Sequence, residues 1–166
     1  HGFETACSNQ GFTPKCVFTS EIKPHAIQIY ESNFSGNPTF GDITKIPAVD
    51  IPKFDILLAG FPCQAFSSAG KRQGFLDTRG TLFRDVADIL RRTRPQAFVL
   101  ENVKGLIGHD KGRTLTTILN ALESKAVGYS LPVLYGPHGR TQRGWFTLNA
   151  LDFGLPQSRE RIFIVG

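Results

Sequence analysis

Two short apolar runs in this chain each end on a residue that can do covalent chemistry. The run DILLAG leads into Phe61, Pro62, Cys63 and Gln64, and the run AFVLE closes on Glu101 followed by Asn102. A thiolate is a strong nucleophile and a carboxylate can hold or pass a proton. The pair therefore suits catalysis through a covalent intermediate, with the acid handling a proton on the substrate. A free cysteine has a pKa of about 8.5, so reactivity at neutral pH calls for nearby positive charge. Lys71, Arg72, Arg79, Arg159 and Arg161 are the candidates to supply it. Taken singly, these residues have plainer readings: a cysteine after an apolar strand is commonly an inert core thiol, and a glutamate a salt-bridge partner or helix cap. Their placement at the ends of two strands that should be neighbours is what singles them out.

The elements that would bring them together are legible as periodicity. Runs rich in Val, Ile, Leu and Phe alternate with amphipathic helical patterns, as in βαβ units. Strands are expected over 16–21, 55–60, 97–101, 146–150 and 161–165, and their continuous apolar character predicts burial on both faces. Leu82, Phe83, Val86, Ile89 and Leu90 recur at helical spacing, with Arg91, Arg92 and Arg94 suiting the negative end of the helix dipole before Pro95 stops it. Leu115, Ile118, Leu119 and Leu122 predict a second helix closing near Gly128, and Ala26, Ile27, Ile29 and Tyr30 a shorter one after Pro24. The segment 131–145, rich in Gly, Pro and Arg, reads as a basic loop with Arg140 and Arg143 solvated.

The fold class expected is α/β: a mostly parallel sheet with helices on both faces. A right-handed crossover makes the strands before Cys63 and ending at Glu101 parallel and adjacent, about 4.8 Å apart. Ligands bind beyond the carboxyl ends of such strands, so Cys63 and Glu101 are expected to share one cleft.

Composition narrows the class further. A 166-residue chain that is 40% hydrophobic and 20% charged fits one folded domain rather than a disordered segment. No apolar run approaches the roughly 20 residues of a membrane span, and the N-terminal stretch lacks the pattern of a signal peptide. A cytoplasmic protein with no membrane partner is the expectation. Cys7, Cys16 and Cys63 are odd in number and without CxxC or Cys/His spacing, which argues against a disulfide framework and a metal site. The net charge of +5 favours a polyanionic partner. The chain has no methionine and stops at Gly166 directly after the apolar run RIFIVG, so both ends read as cuts, in a fragment or one subunit.

Several motifs now fall into one order. GFPCQAFS at 60–67, ENV at 101–103 and QSRERIFIVG at 157–166 closely resemble the cytosine-5 DNA methyltransferases, above all the bacterial restriction-modification enzymes. GFETACSNQGF from Gly2 resembles the helix after their glycine-rich cofactor loop, and TSEI reaches the acidic residue of their second strand. GDIT at 41–44 and DTRGTLF at 77–83 extend the match over nearly the whole chain.

The resemblance implies a Rossmann-like, S-adenosyl-L-methionine-dependent methyltransferase fold. The first strand and the target-recognition domain are lacking, so 1–166 would be a partial catalytic domain. It assigns Cys63 to attack C6 of cytosine, Glu101 to hold the exocyclic amine and N3, and Arg161 with Arg159 to the flipped base and its surroundings, where a guanidinium stabilises developing negative charge. Such chemistry requires the base to leave the duplex. The segment 67–80, with its glycines and Phe75, resembles the family's mobile catalytic loop, and Gln64 before it, with Ser67, Lys71, Arg72 and Arg79 within it, are the implied DNA contacts.

For the cofactor, Gly2 and Phe3 fall at the end of the glycine loop. Glu21 sits where an acidic residue takes ribose hydroxyls. By resemblance Ile22 packs on the adenine, Asp42 accepts from its amino group, Ile43 flanks it, and Pro62 and Leu82 line the methionine end. The implied partner is double-stranded DNA, with a recognition domain or second subunit still to be supplied. Two other readings stand beside this one: a catalytic-type subunit inactive without a partner chain, and an RNA cytosine-5 methyltransferase, to which GFPCQ is less similar.

Overall fold

The structure is a computed structural model that describes residues 2–37, 39–62, 82–136 and 141–166. The chain divides into two compact units, His1–Pro52 and Lys53–Gly166.

In the first unit, helix α1 (Gly2–Asn9) leads to strand β1 (Thr19–Ser20), helix α2 (Pro24–Asn33) and strand β2 (Thr39–Phe40). Pro24 opens α2, where its missing N–H goes unneeded and its fixed φ already suits a helix. The strands β1 and β2 run parallel, with Ser20 opposite Phe40. Phe18 stacks on Phe40 with ring centroids 4.7 Å apart, and the hydroxyls of Thr19 and Tyr30 meet at 3.0 Å to tie β1 to α2. The strand expected over 16–21 shortens to two residues because the ladder with β2 is only that long.

The second unit contains β3 (Ile56–Gly60), α3 (Leu82–Thr93), β4 (Ala97–Val103), α4 (Arg113–Glu123), β5 (Val133–Tyr135), β6 (Thr141–Arg143), β7 (Trp145–Asn149) and β8 (Glu160–Val165). Its four-stranded sheet has the order β3-β4-β8-β7. The α/β, Rossmann-like class expected from the sequence is the class observed, but this sheet is mixed: β3 and β4 are parallel, whereas β4 with β8 and β8 with β7 are antiparallel. The connection 150–159 is short and holds only a 3₁₀ turn (Ala150–Phe153), and a parallel return needs a longer crossover.

Burial alternates along the strands instead of covering both faces. Phe98, Leu100, Ile162 and Ile164 are fully buried and join one core cluster with Phe83, Val86 and Leu90 of α3 and Leu115, Ile118 and Leu122 of α4. Both helices of this unit thus lie on a single sheet face. Leu57 and Ala59 of β3 turn toward that core, while Ile56 and Leu58 on the other face are exposed. Each large apolar side chain sealed in this layer contributes about 1.5–3 kcal/mol.

The segment read as a basic loop contains a hairpin, β5 pairing antiparallel with β6 through Val133 opposite Arg143 and Tyr135 opposite Thr141. Arg143 is exposed, as expected, and forms a surface ion pair with Glu123, while Arg140 lies outside the described residues.

Candidate active site

The carboxyl ends of β3 and β4 lie side by side, with Gly60 directly opposite Glu101. This is the adjacency that the two apolar runs predicted. Glu101 points to the sheet face away from α3 and α4, as its odd-numbered neighbours Val99 and Val103 do, since side chains alternate along a strand. A Cβ at Gly60 would lie 3.3 Å from Glu101 Oε2. The carboxylate therefore spreads over a strand position that only hydrogen occupies.

On the other side of β4, Val103 stands opposite Arg161 of β8, which puts Arg161 diagonally next to Glu101 on the same face. Arg161 Nε meets Glu101 Oε1 at 2.9 Å, and its Nη1 donates to the Glu160 carbonyl at 2.8 Å. The Arg161 side chain is 22% exposed and the Glu101 side chain 39%, so both remain open to an incoming group. Lys104 Nζ also meets Glu160 Oε1 at 2.6 Å.

Arg159 is exposed and precedes β8; its backbone N–H donates to Asn149 Oδ1 at 2.9 Å, which closes the base of the 150–158 loop. Arg161, and not Arg159, is the arginine brought to Glu101. Pro62 is exposed just past the end of β3, and Leu82, at the first position of α3, is partly buried against the core. Cys63, Gln64, Ser67, Lys71, Arg72 and Arg79 lie outside the described residues.

In the first unit the carboxyl ends of β1 and β2 carry the other group of predicted residues. Glu21 N donates to the Phe40 carbonyl, which continues the pairing one residue past the ladder. Glu21 Oε1 accepts from the backbone N–H groups of Ile22 at 2.8 Å and Lys23 at 2.9 Å. These amides, that of Lys23 foremost, hold the Glu21 carboxyl below the usual glutamate range. Asp42 caps the 3₁₀ turn Ile43–Lys45, accepting at Oδ1 from the Thr44 hydroxyl at 2.7 Å and the Thr44 N–H at 3.0 Å, and those bonds lower its pKa as well. Ile22 is exposed beside the ionised Glu21, and Ile43 is half-buried. Gly2 opens α1 in open space, and Phe3 is half-buried on the same helix.

Two residues that the sequence reading left unassigned belong to this description. Gly60 gives the Glu101 carboxylate its room. Asn102, 3% exposed, donates from Nδ2 to the Phe61 carbonyl at 2.6 Å and accepts at Oδ1 from Val103 N at 2.8 Å. The signal for Asn102 is in the pattern: in AFVLENV it takes a position whose alternates, Phe98 and Leu100, are apolar and buried.

Compared with known proteins, the whole chain, residues 1–166, matches the family model described as C-5 cytosine-specific DNA methylase. It is 55% identical to the Type II methyltransferase M.NlaIV of Neisseria lactamica over 99% of its length and 37% of that protein's. It is likewise 55% identical to the Type II methyltransferase M.HpaII of Haemophilus parainfluenzae, covering 99% of itself and 42% of the relative. The chain thus spans less than half the length of these relatives. Among solved structures, a Spodoptera frugiperda DNMT2 variant superposes with a TM-score of 0.64 at 21% identity, covering 99% of this chain and 46% of that one. The S. pombe Dnmt2 methyltransferase gives 0.59 at 18%, covering 99% and 44%. These two likenesses establish the fold.

Proposed function

Since the chain belongs to the C-5 cytosine-specific DNA methylases, we propose that it is the catalytic portion of a Type II DNA (cytosine-5-)-methyltransferase. The reaction is methylation of C5 of a cytosine swung out of double-stranded DNA. The observation that carries this reading is the Glu101–Arg161 pair, 2.9 Å apart and partly open, one strand away from the Gly60–Pro62 exit that leads into Cys63.

The chemistry follows from what each side chain can do. The Cys63 thiolate forms a bond to C6, and the C5–C6 π electrons move onto C5, which becomes nucleophilic. Glu101 accepts from the N4 amino group with one oxygen and passes a proton to N3 from the other, while Arg161 donates to O2, so the negative charge that the thiolate brings is neutralised at N3 and met at O2. Arg161 already lies against Glu101 and needs no large rearrangement to serve both partners. After C5 has taken the methyl group, water takes the C5 proton, the C–H electron pair re-forms the C5–C6 double bond as the S–C6 bond breaks, N3 returns its proton to Glu101, and the thiolate is restored.

S-adenosyl-L-methionine, when bound, supplies the methyl group. The residues of the first unit fit its adenosine: an ionised Glu21 for the ribose hydroxyls, exposed Ile22 for an apolar contact with the ring, and Asp42 to accept from an amino group, with Ile43 beside it. Gly2, Phe3, Pro62 and Leu82 are assigned to the same ligand on the strength of their motif positions.

Gln64, Ser67, Lys71, Arg72 and Arg79 are the proposed DNA contacts, with Arg159 proposed for the surroundings of the flipped base, and the net charge of +5 favours that polyanion. Target recognition is proposed to reside in the further length that the relatives possess, or in a second chain. No helix among the described residues is long and apolar enough to cross a membrane, and a bacterial cytoplasmic site, where the chromosome lies, is the setting proposed.

The test is covalent trapping. With S-adenosyl-L-methionine present, a duplex carrying 5-fluorocytosine at the target should form a stable adduct with the full-length protein, because fluorine stands where the departing proton would be; the adduct maps to Cys63 and is absent in C63S. Methyl transfer without such an adduct would overturn the assignment.

A further inference from the structure

Asn102 and Thr114 are the buried polar side chains among the described residues. A carboxamide in an apolar layer is costly unless its donors and acceptors are matched, and the Asn102 partners are both backbone groups. One is local, the Val103 N–H. The other is the Phe61 carbonyl, 41 residues away in sequence and 2.6 Å from Nδ2.

Phe61 stands just past the last residue of β3, where the ladder with β4 has ended. Its ring is buried and tilted against Phe83 with centroids 5.4 Å apart. The exit of β3 is thus held by a ring on one side and by a single side chain of the neighbouring strand on the other. That side chain is adjacent in sequence to Glu101 and points to the opposite sheet face.

We infer that Asn102 is a positioning residue for the covalent step. By fixing the Phe61 carbonyl it holds the chain at Phe61 and Pro62, the residues directly before Cys63 in sequence, and it does so from the same stretch of β4 that presents Glu101. The residues that lead to the nucleophile and the base-binding carboxylate are thereby referenced to two consecutive residues. Loss of the bond frees Phe61 and Pro62 to shift while leaving Glu101, Arg161 and the cofactor residues of the first unit as they are. This inference rests on the reading of Cys63 as the nucleophile.

The experiment measures the rate constant of adduct formation with a 5-fluorocytosine duplex in single turnover, in the full-length protein, at saturating DNA and cofactor. N102D keeps the shape and the acceptor toward Val103 but replaces the donor facing Phe61 with a carboxylate oxygen. Its rate constant at saturating cofactor is expected to fall about 100-fold, the scale of a misplacement of about 1 Å, with DNA affinity unchanged. A rate constant per trapped molecule does not depend on how much of the sample is folded, which separates positioning from a purely structural loss. As pH falls, protonation of the introduced carboxyl restores a donor, and the N102D rate should recover relative to wild type. N102S, with a hydroxyl donor on a shorter arm, should fall between the two and takes over the measurement where N102D yields too little folded protein.

Wild-type rate constants in these variants would overturn the inference, as would a loss of DNA affinity in step with the rate. A wild-type protein that forms no adduct would instead overturn the assignment of Cys63, and this inference with it.

Discussion

Gly60 and Glu101 face each other across the β3–β4 ladder, with the Glu101 carboxylate reaching to within 3.3 Å of where a Gly60 side chain would begin. The backbone at Gly60 is not in the positive-φ region, so an alanine there is conformationally permitted. G60A should remove unfolded-state freedom and leave stability unchanged or raised by about 0.4–1 kcal/mol. The added methyl would nevertheless press on the carboxylate, and about a tenfold drop in methyl-transfer rate is expected from its displacement. Thermal melting and single-turnover methylation of the same preparation check both halves. Full activity in G60A would mean that the carboxylate position at this strand end is not critical.

Arg161 contributes its guanidinium to the same edge. As an ion pair with a partly exposed Glu101 it adds only about 0–1 kcal/mol to folding. As a donor to negative charge building on O2 it should matter far more, about 10²–10³ in rate, as for other donors aimed at developing charge. R161A is therefore expected to melt near the wild-type temperature and to methylate about two to three orders of magnitude more slowly. R161K should recover little, because a point-charge ammonium cannot contact Glu101 and a base oxygen together as the planar fork does. Melting curves with steady-state kcat and KM decide the matter. An unchanged kcat in R161A would remove Arg161 from the chemistry.

Much of this site was legible because chemistry and periodicity coincide. The apolar runs before Cys63 and Glu101 are strands, they are adjacent and parallel, and Arg161 lies one strand further on against the carboxylate. Helical spacing located α3 and α4 to within a few residues, since each carries a full apolar stripe onto the sheet. The predicted burial on both faces failed for β3 because Ile56 and Leu58 look apolar in sequence whichever way they point. Strand direction was illegible for a related reason: RIFIVG reads the same run parallel or antiparallel, and it is the short 150–159 connection that makes β8 antiparallel to β7.

The hairpin β5–β6 was hidden by its length. Three-residue strands such as VLY and TQR offer too few alternations to stand out among Gly, Pro and Arg. Asn102 was overlooked because its value comes from a carbonyl 41 residues away, a partner that sequence spacing does not disclose. Arg159 and Arg161 share a motif and the same residue type, yet differ in exposure and partners because one precedes the strand and the other lies within it.

The acidic residue of the first unit yields a pH prediction with a definite sign. The Lys23 and Ile22 amides favour the ionised form of Glu21, so its folded pKa lies below the ordinary glutamate value of 4.5. A carboxyl with a lowered pKa contributes stability that is fully present above 4.5 and is lost as pH falls through the folded value. If Glu21 accepts from the ribose hydroxyls, its contribution to cofactor affinity should be level throughout the neutral and mildly acidic range and weaken only below 4.5. E21Q keeps the shape but removes the charge; it should bind S-adenosylhomocysteine about tenfold more weakly, in line with a lost charge-assisted hydrogen bond. It should also flatten the acid limb of the profile. Titration calorimetry of the full-length protein from neutral pH downward measures both. A wild-type affinity that already declines between neutrality and mild acid, or an E21Q affinity equal to wild type, would show that the carboxylate does not hold the cofactor.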